Sequence, residues 1–133
     1  MTTLLVHLKI KPDKLEKFEA IMADMVKQTF ATETGVNRYE YWKGQEENVY
    51  YCLLSFVDKW AFYRHQMSDH HEGHDFGEVI EDIQLEYVDP VANTPSSLSH
   101  TTDPELTDDM DENMKIAQQR YPISIPNWWN GRK

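Results

Sequence analysis

Hydrophobic positions along residues 3–90 change period several times, and each change marks an element. TLLVHLKI, residues 3–10, alternates as a strand: Leu4, Val6, Leu8 and Ile10 share one face, Leu5 and His7 the other. Pro12 suits the first turn of a helix, with Asp13 and Glu16 near its positive end. Leu15, Phe18, Met22, Met25, Val26 and Thr29 then recur at helical spacing, and Thr34-Gly35 supplies the stop. VNRYEYWKG, residues 36–44, and NVYYCLLSFV, residues 48–57, return to the strand pattern around a GQEEN turn containing Gly44. Asp58 caps a second helix, in which Ala61, Phe62, His65 and Gln66 share a face. That helix is interrupted near Ser68-Asp69 and is expected to resume through GHDFGEVIEDI, before a fourth strand, IQLEYVDP, residues 83–90.

The order β-α-β-β-α-β predicts an α+β fold of the ferredoxin-like kind, a four-stranded antiparallel sheet with two helices on one face. The helices cover one side only, yet the strands are apolar on both. Val36 and Trp42 oppose Tyr39 and Tyr41 on the second strand; Tyr51, Leu53 and Val57 oppose Tyr50, Leu54 and Phe56 on the third. Each large side chain left wet forgoes about 1.5–3 kcal/mol. A second copy is therefore expected against the uncovered face, as a twofold homodimer.

Residues 91–133 fall outside that unit of residues 1–90. VANTPSSLSHTT, residues 91–102, reads as an extended connector. Asp103-Pro104 looks like a helix start, followed by Leu106, Met110 and Met114 as an i, i+4, i+8 stripe. Pro122 and Pro126 forbid helix in the tail YPISIPNWWNGRK. Trp128-Trp129 is read as an anchor in a surface groove or as a lid over a pocket.

A chain that is 40% hydrophobic and 12% aromatic is globular rather than disordered. A net charge of −10 argues against nucleic acid and anionic membrane as partners, and no apolar run is long enough for a membrane span. One cysteine, Cys52, excludes an internal disulfide framework. With no basic, cleavable leader at the N-terminus, a cytoplasmic location is expected.

GVNRYEYW after a helix, then NVYYCLLSFVDKWAFYRHQMSDH, resembles the antibiotic biosynthesis monooxygenase (ABM) superfamily of dimeric α+β barrels. The similar features are Gly35-Val36-Asn37-Arg38-Tyr39, the passage of the third strand into the second helix, and His65-x-x-Ser68-x-His70. LKIKPDKLEKFEA also resembles the family's opening strand and helix. The resemblance covers residues 1 to about 90. It implies a pocket between sheet and helices and, in many members, oxidation of phenols, quinols or polycyclic aromatics by O₂ without metal or flavin. Other members degrade haem, isomerise small phosphorylated signals, or have no established activity.

RHQMSDHHEGH, residues 64–74, holds four of the six histidines. His70 and His74 are one helical turn apart, with Asp69, Glu72 and Asp75 as possible oxygen donors. The spacing misses His-Glu-x-x-His, and Gly73 and Gly77 weaken the helix, so no metal is assigned. The family's haem-degrading branch uses an Asn on the first strand, which residues 3–10 lack. Acid–base chemistry in an aromatic pocket remains: a phenol buried away from water needs a base, and histidine titrates near neutrality. His65 and His70 are the expected catalytic residues, with no cofactor. Tyr39, Tyr51, Phe56, Trp60 and His74 are the expected substrate contacts. The alternatives are a non-catalytic dimeric small-ligand or stress-response module, and a haem-binding relative.

Overall fold

The computed structural model describes residues 1–129. Strand β1 spans Thr2–Ile10 and a 3-10 turn Pro12–Lys14 leads into helix α1, Leu15–Thr32. Strands β2 (Val36–Lys43) and β3 (Val49–Phe56) form a hairpin, followed by α2 (Lys59–Gln66) and two four-residue turns, α3 (Asp69–Glu72) and α4 (Phe76–Val79). Strand β4 (Ile80–Tyr87) completes an antiparallel sheet of order β2-β3-β1-β4, and α5 (Glu112–Arg120) lies in the C-terminal arm.

The apolar stripes seat the elements as expected. On α1, Phe18, Met22, Met25 and Thr29 are buried. Leu4, Val6, Leu8 and Ile10 of β1 meet them from the sheet. The helix ends at Thr32, and the chain turns into β2 through Gly35, whose φ of +83° is open to glycine at little cost. A Cβ there would also lie 2.9 Å from Val57 Cγ2 and 3.0 Å from Ala61 Cβ, so this glycine lets α2 pack close.

Asp58 caps α2 by accepting from the Ala61 amide at 2.8 Å. Ser68 both ends and restarts the helical path: its hydroxyl donates to the His65 carbonyl at 2.7 Å and caps α3. Helix does not resume through GHDFGEVIEDI. It is confined to the turns around Gly73 and Gly77, and the β-branched and apolar residues from Ile80 join the sheet instead, so β4 runs 80–87 rather than 83–90.

The arm differs most from expectation. Asp103-Pro104 starts no helix; Asp111 caps α5 instead, so Leu106, Met110 and Met114 do not share one helical face. Met114 and Ala117 nevertheless join the core, with Leu106 and Met110 packed beside them. Lys59, though only 1% exposed, is satisfied from the arm, donating to Asp103 at 2.5 Å and Gln118 at 2.9 Å. Tyr63 and Tyr87 hydroxyls donate to the Tyr121 carbonyl, and the N-terminal ammonium donates to the His100 carbonyl. Helix α2 is thus buried on both sides, by sheet and by arm. Trp128 is 76% exposed and fills no groove in its own chain.

Candidate active site

The second helical segment is short because Ser68, Gly73 and Gly77 break it. It leaves part of the inner sheet face uncovered: Ile83 and Leu85 of β4 point to the helix side yet are 49% and 43% exposed. The space between them and the helices is a cavity of about 500 Å³, within the range of small-molecule sites. Its walls are largely apolar, from β1 (Leu4, Val6, Leu8), α1 (Met22, Met25) and α2 (Phe62). Its polar residues are Tyr39, Tyr41, His65, Gln66 and His71, with Glu81 and Asp82 of β4 also in the lining. Tyr121 brings the arm into the wall.

His65 is 1% exposed and sits in the last turn of α2. Its ring packs edge-on against Tyr39, with centroids 5.1 Å apart, and tilted against Phe56 at 5.4 Å. Nδ1 lies 3.2 and 3.1 Å from the two carboxylate oxygens of Glu33. His70 Nε2 approaches Glu33 Oε2 at 2.5 Å, and Thr29 Oγ1 stands 3.5 Å from His65 Nδ1 and 3.2 Å from His70 Nε2.

Burial, the largest influence on Glu33, pushes its carboxyl up; hydrogen bonds and charge from His65, then His70, outweigh it and hold the group below its ordinary range. Glu33 is therefore a carboxylate and accepts only. Each histidine must present an N–H to it, His65 from Nδ1 and His70 from Nε2. A neutral His65 then keeps its lone pair on Nε2, the nitrogen left for the cavity. Burial first, then the charge that His65 and His70 carry when protonated, brings His71 down to about 4. Its Nδ1 is buried without a partner. Tyr39 and Tyr41 hydroxyls lie 3.1 Å apart, and burial raises both, so both stay protonated.

The expected site residues separate into groups. His65 and Tyr39 line the cavity; His70 stands beside them through Glu33 but is not in the lining. Phe56 is fully buried behind His65 and Phe62. Tyr51 lies on the opposite sheet face, its ring 5.7 Å from His7, because strand alternation turns it away from Tyr50 and Cys52. Trp60 packs on Tyr63 and under the Lys59 ammonium, on the arm side of α2. His74 pairs with Asp24 at 3.4 Å, outside the lining. Asp69, Glu72 and Asp75 do not join His70 and His74 in a donor cluster; Glu33, His65 and His70 form one.

Glu33, Tyr41, His71 and Tyr121 are absent from the sequence-based set. Glu33 did leave a signal, since a carboxylate at a helix C-terminus opposes the dipole. Tyr41 shares a strand face with Tyr39. Tyr121 left none.

The sequence profile of the family described as Antibiotic biosynthesis monooxygenase matches residues 1–74. A Caulobacter crescentus structure carrying that family name provisionally is 26% identical, with a TM-score of 0.63 over 68% of this chain and 89% of that one. Protein SO0527 from Shewanella oneidensis is 25% identical, TM-score 0.59, over 65% and 87%. Rv0793 from Mycobacterium tuberculosis, 15% identical with a TM-score of 0.63 over 71% and 98%, shares the fold. No curated protein matches the chain.

Proposed function

This chain belongs to the antibiotic biosynthesis monooxygenase family, and from that premise we propose that it oxidises a small hydroxylated aromatic compound with O₂ in the cavity beside His65. The observation that carries the reading is the orientation of His65: Nδ1 is committed to Glu33, and Nε2 remains for a substrate proton. Removing that proton makes an electron-rich anion. Its ring carbon bonds to O₂, giving a peroxide that takes up a proton. Loss of water leaves a ring carbonyl; one oxygen atom stays in the product, the other leaves as water, and the substrate supplies the electrons. Met, Leu and Phe walls shield the anion on the helix side, and the Tyr39–Tyr41 pair offers a donor to a substrate oxygen.

The enzyme acts as a homodimer in this reading. Trp42 (59% exposed) and Tyr51 share the outer sheet face with half-buried Leu5 and Leu53, which supports a second copy there. The outer side of β4 is polar, with Asp82, Gln84 and Glu86, so the apolar patch centres on β1, β2 and β3. No helix among the described residues is long and apolar enough to cross a membrane. A cytoplasmic location accords with the lone buried thiol of Cys52.

The test is oxygen consumption by chelator-treated, flavin-free protein with hydroquinones and polycyclic phenols. Turnover is expected, falling about 10²–10⁴-fold in His65→Ala with unchanged circular dichroism. Unchanged turnover in the variant removes His65 from the chemistry. Saturable binding of the same compounds with no oxygen uptake points instead to a non-catalytic binding module, which the apolar lining also supports.

A further inference from the structure

We propose that Glu33, His65 and His70, with the Thr29 hydroxyl, form a binding site for one divalent transition-metal ion. The proposal goes beyond the oxygenase reading and does not depend on it. One nitrogen of each histidine and one carboxylate oxygen all lie within 4.8 Å of one another. A tetrahedral ion with bonds of about 2.0–2.1 Å sets its ligands about 3.3–3.4 Å apart. Three of the observed separations are close to that edge: Glu33 to His65 at 3.1 Å, Thr29 to His70 at 3.2 Å and Thr29 to His65 at 3.5 Å. The fourth, Glu33 to His70 at 2.5 Å, is contracted, as a hydrogen bond contracts it without an ion between.

Three further observations favour a cation here. Thr29 and Glu33 stand one turn apart at the C-terminal end of the 18-residue α1, and His65 lies in the last turn of α2. Both helix ends present negative dipole charge to the cluster. The donors are also largely shielded from water: Thr29 is fully buried, and side-chain exposures are 1% for His65, 11% for Glu33 and 14% for His70. Finally, the movable ligand is the one that must move. His70 is held on a four-residue turn between Ser68 and Gly73, whereas His65 and Glu33 are fixed by helices. Two imidazoles and one carboxylate suit Zn²⁺, Co²⁺ or Fe²⁺ and disfavour Ca²⁺ or Mg²⁺.

Coordination changes tautomers without changing the proton count. The ion replaces the proton on His65 Nδ1, which reappears on Nε2; likewise the His70 proton moves from Nε2 to Nδ1. A metal-loaded His65 therefore offers an N–H to the cavity where the metal-free ring offers a lone pair.

The experiment is titration of the chelator-treated full chain with Co²⁺, without substrate, followed by visible absorption and calorimetry. One equivalent per chain is expected, with the bands of a low-coordinate site that Zn²⁺ abolishes by displacement. Glu33→Gln and His70→Gln each weaken binding about 100-fold or more, and Glu33→Asp retains part of it. His74→Gln leaves it unchanged. If Glu33→Gln fails to fold, His70→Gln decides, because its ring lies on a peripheral turn. Absence of saturable Co²⁺ and Zn²⁺ binding overturns the proposal, as does loss on His74→Gln with His70→Gln unaffected. Neither result bears on oxygen uptake, which is read separately.

Discussion

Glu33 and His65, thirty-two residues apart in the chain, meet at 3.1 Å because the end of α1 and the end of α2 converge beside the cavity. The carboxylate fixes the histidine tautomer and steadies positive charge on the ring as it takes a proton. Glu33 is a positioning residue in this arrangement, since it is His65 that faces the cavity. Glu33→Gln is expected to lower kcat about 10–100-fold, less than His65→Ala, with KM nearly unchanged. Steady-state kinetics with a quinol substrate checks the split; a rise in KM alone would place Glu33 in substrate binding instead.

The arm is held by a buried charge. Lys59 is 1% exposed and its ammonium meets Asp103, whose side chain is 41% exposed. Among the described residues, removing the carboxylate leaves the ammonium with the Gln118 carbonyl oxygen as its acceptor. Fully buried pairs lose about 3–5 kcal/mol when one partner goes. Solvent screening of Asp103 reduces this, and Asp103→Ala is expected to cost about 2 kcal/mol. Lys59→Met, which keeps the apolar stem, should cost less. Urea unfolding at neutral pH measures both; an unshifted midpoint in Asp103→Ala would show that the arm adds nothing to the core.

The outer sheet face makes the assembly testable. Trp42→Glu places a charge opposite Tyr51 on the outer sheet face. The wild-type chain is expected at twice its subunit mass by native mass spectrometry, and the variant at one. A monomeric wild type would leave the apolar patch on β1–β3 wetted and end the dimer reading.

Cys52 lies at the cavity wall, and its thiol is pushed up to about 12, by burial first and only then by the charge of Glu40. The folded state therefore keeps this proton where the unfolded chain loses it. The resulting stability is whole below about pH 9, the unfolded value, and fades as pH rises toward 12. Two outcomes follow: iodoacetamide leaves Cys52 unmodified at pH 8 unless the chain is unfolded, and Cys52→Ala flattens the loss of stability above pH 9. Rapid alkylation of the folded protein would contradict the burial.

Elements with strong period were legible in the residues themselves. The α1 stripe from Phe18 to Thr29, the glycine turn at Gly35 just past the helix end, the β2–β3 hairpin and the break at Ser68 all appear where the pattern places them, because each depends on near neighbours. The candidate site was legible only in part. His65 follows from the α2 face it shares with Ala61 and Phe62, whereas Tyr51 was misplaced although alternation alone sets it opposite Phe56's side of the sheet. The helix expected at Asp103-Pro104 failed for another reason: Asp103 has a buried ammonium to satisfy, a tertiary demand that local capping preference does not contain.

What the chain determines alone is therefore periodic: which residues form strands and helices, which faces are greasy, and where glycine or serine ends a run. Those outcomes rest on interactions within a few residues. The meeting of Glu33 with His65 and His70, the burial of Lys59 by the arm, and the open space beneath a shortened α2 were decided by packing. Each depends on residues brought together by the assembled sheet, and no local pattern encodes the distance between two helix ends.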